Sequence, residues 1–206
     1  MKSASLDALR MGEKIRVATP VSNEKTNRIG LEIIQRYAAK EGIQVGREQV
    51  TFVAKDFYLI HHMEAGFDAG WLYFYNFEGV EAKHKNLDVV FMDCDTAGFA
   101  NFCGLDLFTS KTFYKEQPEL VHGFVAAVKK AIHWIHENPE EAASIYYSYM
   151  QEAPSALTDD ILVHTARCFD PEFESSYEKE LPILHFFNEI GITNLEESRF
   201  KTAFLA

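Results

Sequence analysis

Only three cysteines, Cys94, Cys103 and Cys168, occur in the 206 residues. They form an odd set without a CxxC pair, which argues against a disulfide scaffold and against a structural zinc site. Plain reduced or buried thiols are expected instead. Basic residues are also scarce: 20 Lys and Arg face 31 Asp and Glu, for a formal net charge of −11. Nucleic acid is therefore not an expected partner, because binding phosphate backbones or anionic membranes needs clustered Lys and Arg. Uninterrupted apolar runs extend only a few residues, too few for a membrane span. The start, MKSASLDALRMGEK, has no apolar core of the kind a signal peptide carries, so none is expected in the chain as written. There is no glycine-rich phosphate fingerprint, no internal repeat and no Ser-His-Asp or Cys-His order, and no cofactor is expected.

What is present is ordinary in bulk and patterned in detail. A hydrophobic fraction of 47% and a charged fraction of 25% suit a soluble globular chain, and the length suits one domain or two small lobes. Lys14 to Ala18, KIRVA, reads as a strand that leaves the core at Thr19-Pro20 into the polar loop PVSNEKTN. Ile29, Ile33, Ile34, Tyr37 and Ala38 then recur at helical spacing up to Gly42. Gln49 to Ala54 reads as a second strand, Phe57 to Ala65 as a short helix, and Asp68 to Tyr75 as a third, aromatic strand. After a charged turn at Glu81 to Asn86, LDVVFMD reads as a fourth strand and GLDLFTS, around Leu105, as a fifth. This alternation predicts an α/β fold with a mainly parallel sheet flanked by helices.

From Pro118 the pattern is helical. Val121, Phe124, Val125, Val128, Ile132 and Ile135 mark one face of a long helix with proline in its first turn. Asn138-Pro139-Glu140-Glu141 reads as a cap, a proline and two acids opening the next helix. Three more helices are expected near Ser155 to Arg167, Tyr177 to Glu189 and Leu195 to Phe204.

The segment Gly70 to Glu81, GWLYFYNFEGVE, concentrates Trp71, Tyr73, Tyr75, Asn76 and Glu78. On a strand Trp71, Tyr73 and Tyr75 share one face. Aromatic planes ending in hydroxyls, backed by an amide and a carboxylate, suit a flat, nitrogen-containing ligand. A bulky buried strand with a surface glutamate explains the same residues. In the loop before the first helix, Ser22, Asn23 and Thr26 lie beside free N–H groups that can hold a carboxylate, a phosphate or a polar ring edge. They are equally ordinary helix caps. Asp95, at the end of the fourth strand, stands where α/β proteins place ligand contacts, or caps the loop that follows. His61 and His62 are adjacent, so on a helix they diverge by about 100° and make no zinc pair. No metal site is expected.

The order KIRVATPVSN, a helix, VTFV, EAGFDAGWLYFYNFEGVE, LDVVFMD and SKTFYKEQPELVHGFVAAVKKAIHWIHENPEEAA resembles the substrate-binding proteins of ABC transporters, the periplasmic-binding-protein type II superfamily. Within it the chain is most similar to the thiamine-precursor group, which includes binders of formyl-aminopyrimidine-type compounds and related fungal pyrimidine synthases. The resemblance implies that Tyr75, Asn76 and Glu78 fall where a pyrimidine ring is bound, the carboxylate accepting from a ring amine. It also implies a division into a linker-like stretch (residues 1–13), an α/β ligand-binding lobe (14–104) and a crossover strand with a helical C-terminal region (105–206). Members normally carry a first lobe ahead of the equivalent of Lys14. A homodimer or partner chain is accordingly expected to supply the second cleft wall around a small-molecule ligand. The synthases' cysteine-rich motif and catalytic histidine belong to that first lobe, so non-catalytic binding is the leading expectation. The alternatives are a pyrimidine-biosynthetic enzyme recruiting His61, His62 or Cys94, and a protein-interaction module. The family is generally exported or lipid-anchored, and the compartment of this chain is left open.

Overall fold

Alternating β-branched runs and amphipathic stretches fold into an α/β arrangement in the computed structural model, which describes residues 1–98, 105–172 and 176–204. The chain divides into two compact units, one of residues 1–102 with 176–206 and the other of residues 103–175.

The first unit is built on a parallel sheet of three strands, β1 (Ile15–Thr19), β2 (Val50–Ala54) and β3 (Ala69–Gly70), in the order β2-β1-β3. Ile15 pairs with Val50 through to Thr19 with Ala54, and Val17 and Ala18 pair with Ala69 and Gly70. The central strand is buried almost throughout, as expected for a parallel strand covered on both faces. Helix α1 (Ser3–Arg10) adds Leu9 to the core, so part of the stretch expected to be a linker is a packed helix. Helix α2 (Glu24–Lys40) lays Ile33, Ile34 and Ala38 onto the sheet unit. It ends where Gly42 turns left-handed at φ +71° and Ile43 N–H returns to the Ala38 carbonyl at 2.9 Å. The buried Gln49 amide donates to the Leu9 and Glu13 carbonyls, both at 3.1 Å, and joins the end of α1 to the start of β2. Helix α3 (Leu59–Glu64) leads from β2 into β3.

The expected third strand ends early. Only Ala69 and Gly70 pair; Leu72 is left-handed at φ +62°, and Tyr75–Gly79 winds into a single π-type turn that runs into α4 (Val80–His84). The expected fourth strand, LDVVFMD, makes only an isolated antiparallel bridge between Val89 and Lys2. Residues 1–3 lie along the edge it was expected to join, with Lys2 N–H bonded to the Asp68 carbonyl and Ser3 N–H to the Asp88 carbonyl. Cys94–Ala97 follows as the short helix α5, against α2. Of the expected fifth strand, residues 105–110 are described and form no strand. Near the C-terminus, α10 (Tyr177–Glu189) packs Ile183 and Phe186 with Ile190 and with Ile29 of α2. Arg36 bonds Glu189 at 2.6 Å and lies 5.1 Å from the Phe186 ring centre. Helix α11 (Glu197–Lys201) closes this unit, with Glu197 bonded to His185 at 2.7 Å.

The second unit is helical: α6 (Lys111–Glu116), α7 (Pro118–Glu137), α8 (Pro139–Met150) and α9 (Ala156–Cys168). Proline opens both α7 and α8, as their N-terminal signals require. Asn138 does not cap α8; its side chain donates back to the Trp134 carbonyl at 2.9 Å and closes α7. Tyr147 joins α8 to α9 through Asp159 at 2.7 Å, and His136 joins α7 to α9 through the Ala166 carbonyl at 2.8 Å. Among the described residues no helix is long and apolar enough to cross a membrane.

One glycine positions the rest. A Cβ built on Gly30 would lie 2.9 Å from the Phe52 ring and 3.0 Å from Trp71, so α2 approaches both rings closely because this residue has no side chain. Gly30→Val is expected to destabilise the protein by about 2 kcal/mol through overpacking, read as a lower urea midpoint at unchanged slope.

Candidate ligand-binding site

In α/β folds, ligands sit beyond the carboxyl ends of parallel strands, and here three loops meet at that edge. The loop after β1 is fixed by the Thr19 hydroxyl, which donates to the Val21 carbonyl at 2.9 Å. The start of the loop after β2 is held to β1 by the Lys55 N–H, which donates to the Thr19 carbonyl at 2.9 Å. The segment after β3 is held twice by Trp71: its backbone N–H donates to the Ala18 carbonyl and its indole N–H to the Thr26 carbonyl, each at 2.9 Å. The indole bond places the aromatic segment against the start of α2.

Ser22, Asn23 and Thr26 all serve that helix start. Asn23 Oδ1 accepts from Thr26 N–H at 3.0 Å, and Thr26 Oγ1 accepts from Asn23 N–H at 3.2 Å, a reciprocal cap. Ser22 Oγ accepts from the Asn27 amide at 3.0 Å. The ordinary capping role is thus filled in full.

The aromatic side chains do not share one face, as strand alternation would give, because the chain turns at Leu72. Trp71 points to α2. Tyr73 turns toward the β2 loop, where its hydroxyl donates to the Asp56 carbonyl at 2.8 Å and its ring meets Phe57 edge-on at 6.3 Å. Burial, then the negative charges of Asp56 and Glu78, push the Tyr73 hydroxyl up to about 12, so at neutral pH it is a donor. Tyr75 is 62% exposed and packs edge-on against Phe91 at 5.1 Å. Phe74 and Phe77 on the same turn are exposed too, and Asn76 is half-buried. Glu78 faces inward: its Oε2 accepts the Phe74 N–H at 2.8 Å and so caps the π-type turn from within. Burial raises its carboxyl above the usual carboxylate range, against the lowering by the backbone N–H groups of Glu78 and Phe74. Asp95 lies on α5, and its side chain is outside those described.

The edge carries a pair that the sequence pattern did not single out. His62 on α3 is buried, and its Nε2 lies 2.6 Å from Asp56 Oδ1. Asp56 Oδ1 also accepts the Tyr58 N–H at 3.1 Å. The histidine, then the backbone bond, hold the Asp56 carboxyl below its ordinary value. The one sequence signal for this pair is an aspartate at a strand end, six residues before a histidine on the following helix. No group of three or more His, Cys, Asp or Glu side chains among the described residues could hold a metal ion.

A parallel sheet flanked by helices, with aromatic and polar loops gathered at its carboxyl edge, defines an α/β binding-protein lobe. Residues 16–142, more than half the chain, match the NMT1/THI5-like family, and the protein belongs to it. The chain is also 24% identical over 126 residues to the formylaminopyrimidine-binding protein of Halalkalibacterium halodurans, a match covering 56% of this chain and 38% of that protein. It therefore spans well under half the length of that relative.

Two outcomes test the local chemistry. Asn23→Ala is expected to lower unfolding free energy by about 1 kcal/mol, measured in urea, through loss of the α2 cap. Because the folded Glu78 carboxyl titrates above its unfolded value, its protonation stabilises the folded state. That contribution is full below the ordinary carboxylate pKa and is lost as pH rises through the raised folded value. Glu78→Gln keeps an acceptor for Phe74 N–H and is expected to flatten this component of the stability profile, measured by urea unfolding across a pH series.

Proposed function

We propose that this chain binds a small, pyrimidine-like heterocycle at the carboxyl edge of its sheet, as a substrate-binding-protein-like module without chemistry of its own. The observation that carries this reading is the Trp71 indole bond to Thr26, which sets the aromatic segment beside the polar start of α2. A flat ring requires stacking area and a few convergent polar groups, and Tyr73, Tyr75, Asn76 and Glu78 supply both types within one short segment. The family match and the similarity to a formylaminopyrimidine-binding protein favour a pyrimidine over other flat ligands. In this reading Ser22, Asn23 and Thr26 shape one side of the site by fixing the loop, and Asp95 is a further ligand contact. A ligand held on one face only stays partly in water, and in this reading a second copy or a partner chain supplies the other wall.

Thermal unfolding in the presence of aminopyrimidines tests the reading. A ligand present at a hundred times its Kd adds about 2.7 kcal/mol of stability and so raises the melting temperature. A concentration-dependent rise with aminopyrimidines, and none with amino acids, sulfonates or polyamines, is expected. No shift with any aminopyrimidine would refute the proposal, and native mass spectrometry on the same samples counts the copies in the liganded species.

A further inference from the structure

We infer that helix α7 pairs with the same helix of a second copy of this chain, antiparallel about a two-fold axis, through the face that carries Leu120, Phe124, Ala127 and Ala131. The pairing uses the second unit alone and does not depend on the heterocycle-binding reading.

A helix on a protein surface ordinarily buries one apolar stripe and turns polar residues to water. Helix α7 has apolar residues on two adjoining sides. Val121, Val125, Val128, Ile132 and Ile135 form the covered side, half-buried to buried in the unit. Successive residues turn by about 100°, so Leu120, Gly123, Phe124, Ala127 and Ala131 fall within one further arc of about 100°. All five are exposed, Leu120 at 59% and Phe124 at 57%. Glycine is disfavoured in a helix interior, and a Cβ built on Gly123 would meet nothing within 4 Å. Among the described residues nothing requires its bare backbone, whereas a second helix lying against it would.

The occupant follows from the order of sizes and charges along this face. Its large side chains, Leu120 and Phe124, come first, and its small ones, Ala127 and Ala131, come last. An antiparallel copy sets Leu120 against the partner's Ala131 and Phe124 against the partner's Ala127, and the two-fold repeats both contacts. A parallel copy would set large against large. On one flank of the face stand Glu119 and Lys130, both exposed, and among the described residues neither forms an ion pair, while the neighbouring Lys129 bonds Glu172 at 3.3 Å. Antiparallel helices bring the same flank of each together, so each Glu119 meets the partner's Lys130; parallel helices would oppose like charges. A contact made by two helices of 20 residues is smaller than a standard interface, so a dissociation constant of about micromolar order is expected.

Sedimentation equilibrium on the whole chain tests the pairing, with far-UV circular dichroism confirming that each variant folds, as substitutions at exposed positions should. Wild type is expected to be dimeric at about 100 μM and to dissociate on dilution. Ala127→Arg puts a long cation where the partner's Phe124 must lie and is expected to raise the dissociation constant at least about tenfold. Glu119→Lys and Lys130→Glu are each expected to weaken the dimer by about tenfold, because each replaces two attractions by two repulsions. An equimolar mixture of these two variants is expected to recover the wild-type affinity, since every charge then meets its opposite. A wild-type monomer at about 100 μM overturns the inference, whatever other surface this face meets. A dimer that withstands Ala127→Arg is formed elsewhere on the chain and overturns it equally. A dimer broken by Ala127→Arg but indifferent to both charge variants overturns the antiparallel order and leaves the surface standing.

Discussion

The Trp71 indole is the constraint on which the candidate site depends. Its N–H reaches the Thr26 carbonyl at 2.9 Å, and its ring lies against Gly30, where a Cβ would come within 3.0 Å. The first turn of α2 is thereby bonded, through the Thr26 carbonyl, to the chain leaving β3. The indole occupies the side of the segment that faces α2, so the chain cannot continue as an alternating strand with its next aromatics on the same face. It turns at Leu72 in the left-handed region, a conformation that a bulky residue adopts only under tertiary compulsion. Everything after the turn is redirected: Tyr73 to the β2 loop, Tyr75 to Phe91, and the chain itself into a π-type turn of the sort often found at functional positions.

Redirection gives two carboxylates near one phenol opposite characters. Asp56 and Glu78 both act electrostatically on Tyr73. Asp56, exposed and bonded to a histidine, is held in its charged form, while Glu78, half-buried within its own turn, is shifted toward its neutral one. Pairs of carboxyl groups separated in this way commonly divide roles. Here Asp56 is exposed at the edge, while Glu78 closes its turn from within. Tyr73, kept protonated between them, contributes a rigid donor that fixes the backbone of Asp56 rather than a group that titrates.

How much of this could be read in the sequence follows from the range of the interactions involved. The strands β1 and β2 and the helices α2, α7, α8 and α10 are legible because each carries a local period and its own start or stop signal, such as Asn23, Pro118, Pro139 and Gly42. The third strand was overextended because aromatic residues favour strands only where a neighbouring strand is present to pack them, and β1 pairs with just Ala69 and Gly70 there. The fourth strand was expected from LDVVFMD alone, but residues 1–3 lie along the edge it needed, a contact across almost ninety positions. Gln49, whose amide bridges α1 and β2, carries no sequence mark at all. The candidate segment was found by composition, whereas its geometry was not, since alternation put Trp71, Tyr73 and Tyr75 together and a single positive φ separates them. His62 stands out in the sequence only as half of an adjacent histidine pair, and Asp56 does not stand out at all, because what joins them is a side-chain contact between a strand-end loop and the helix after it.

The arrangement also explains why aromatic side chains stand in water on this lobe. Phe74, Tyr75 and Phe77 share a turn whose backbone is tied from inside by Glu78, so the turn is ordered without needing to bury them. A segment stabilised by its own cap can present apolar rings at little cost in order, and the rings gain most when a ligand or a second surface removes them from solvent. Asp56 and the start of α2 are likewise fixed, by Tyr73 and His62 and by Trp71. Order is therefore built into this edge without burial of its rings. On the proposed binding reading, a ligand would be chosen by where its ring and polar groups must lie, and its retention would depend on how far these rings are covered.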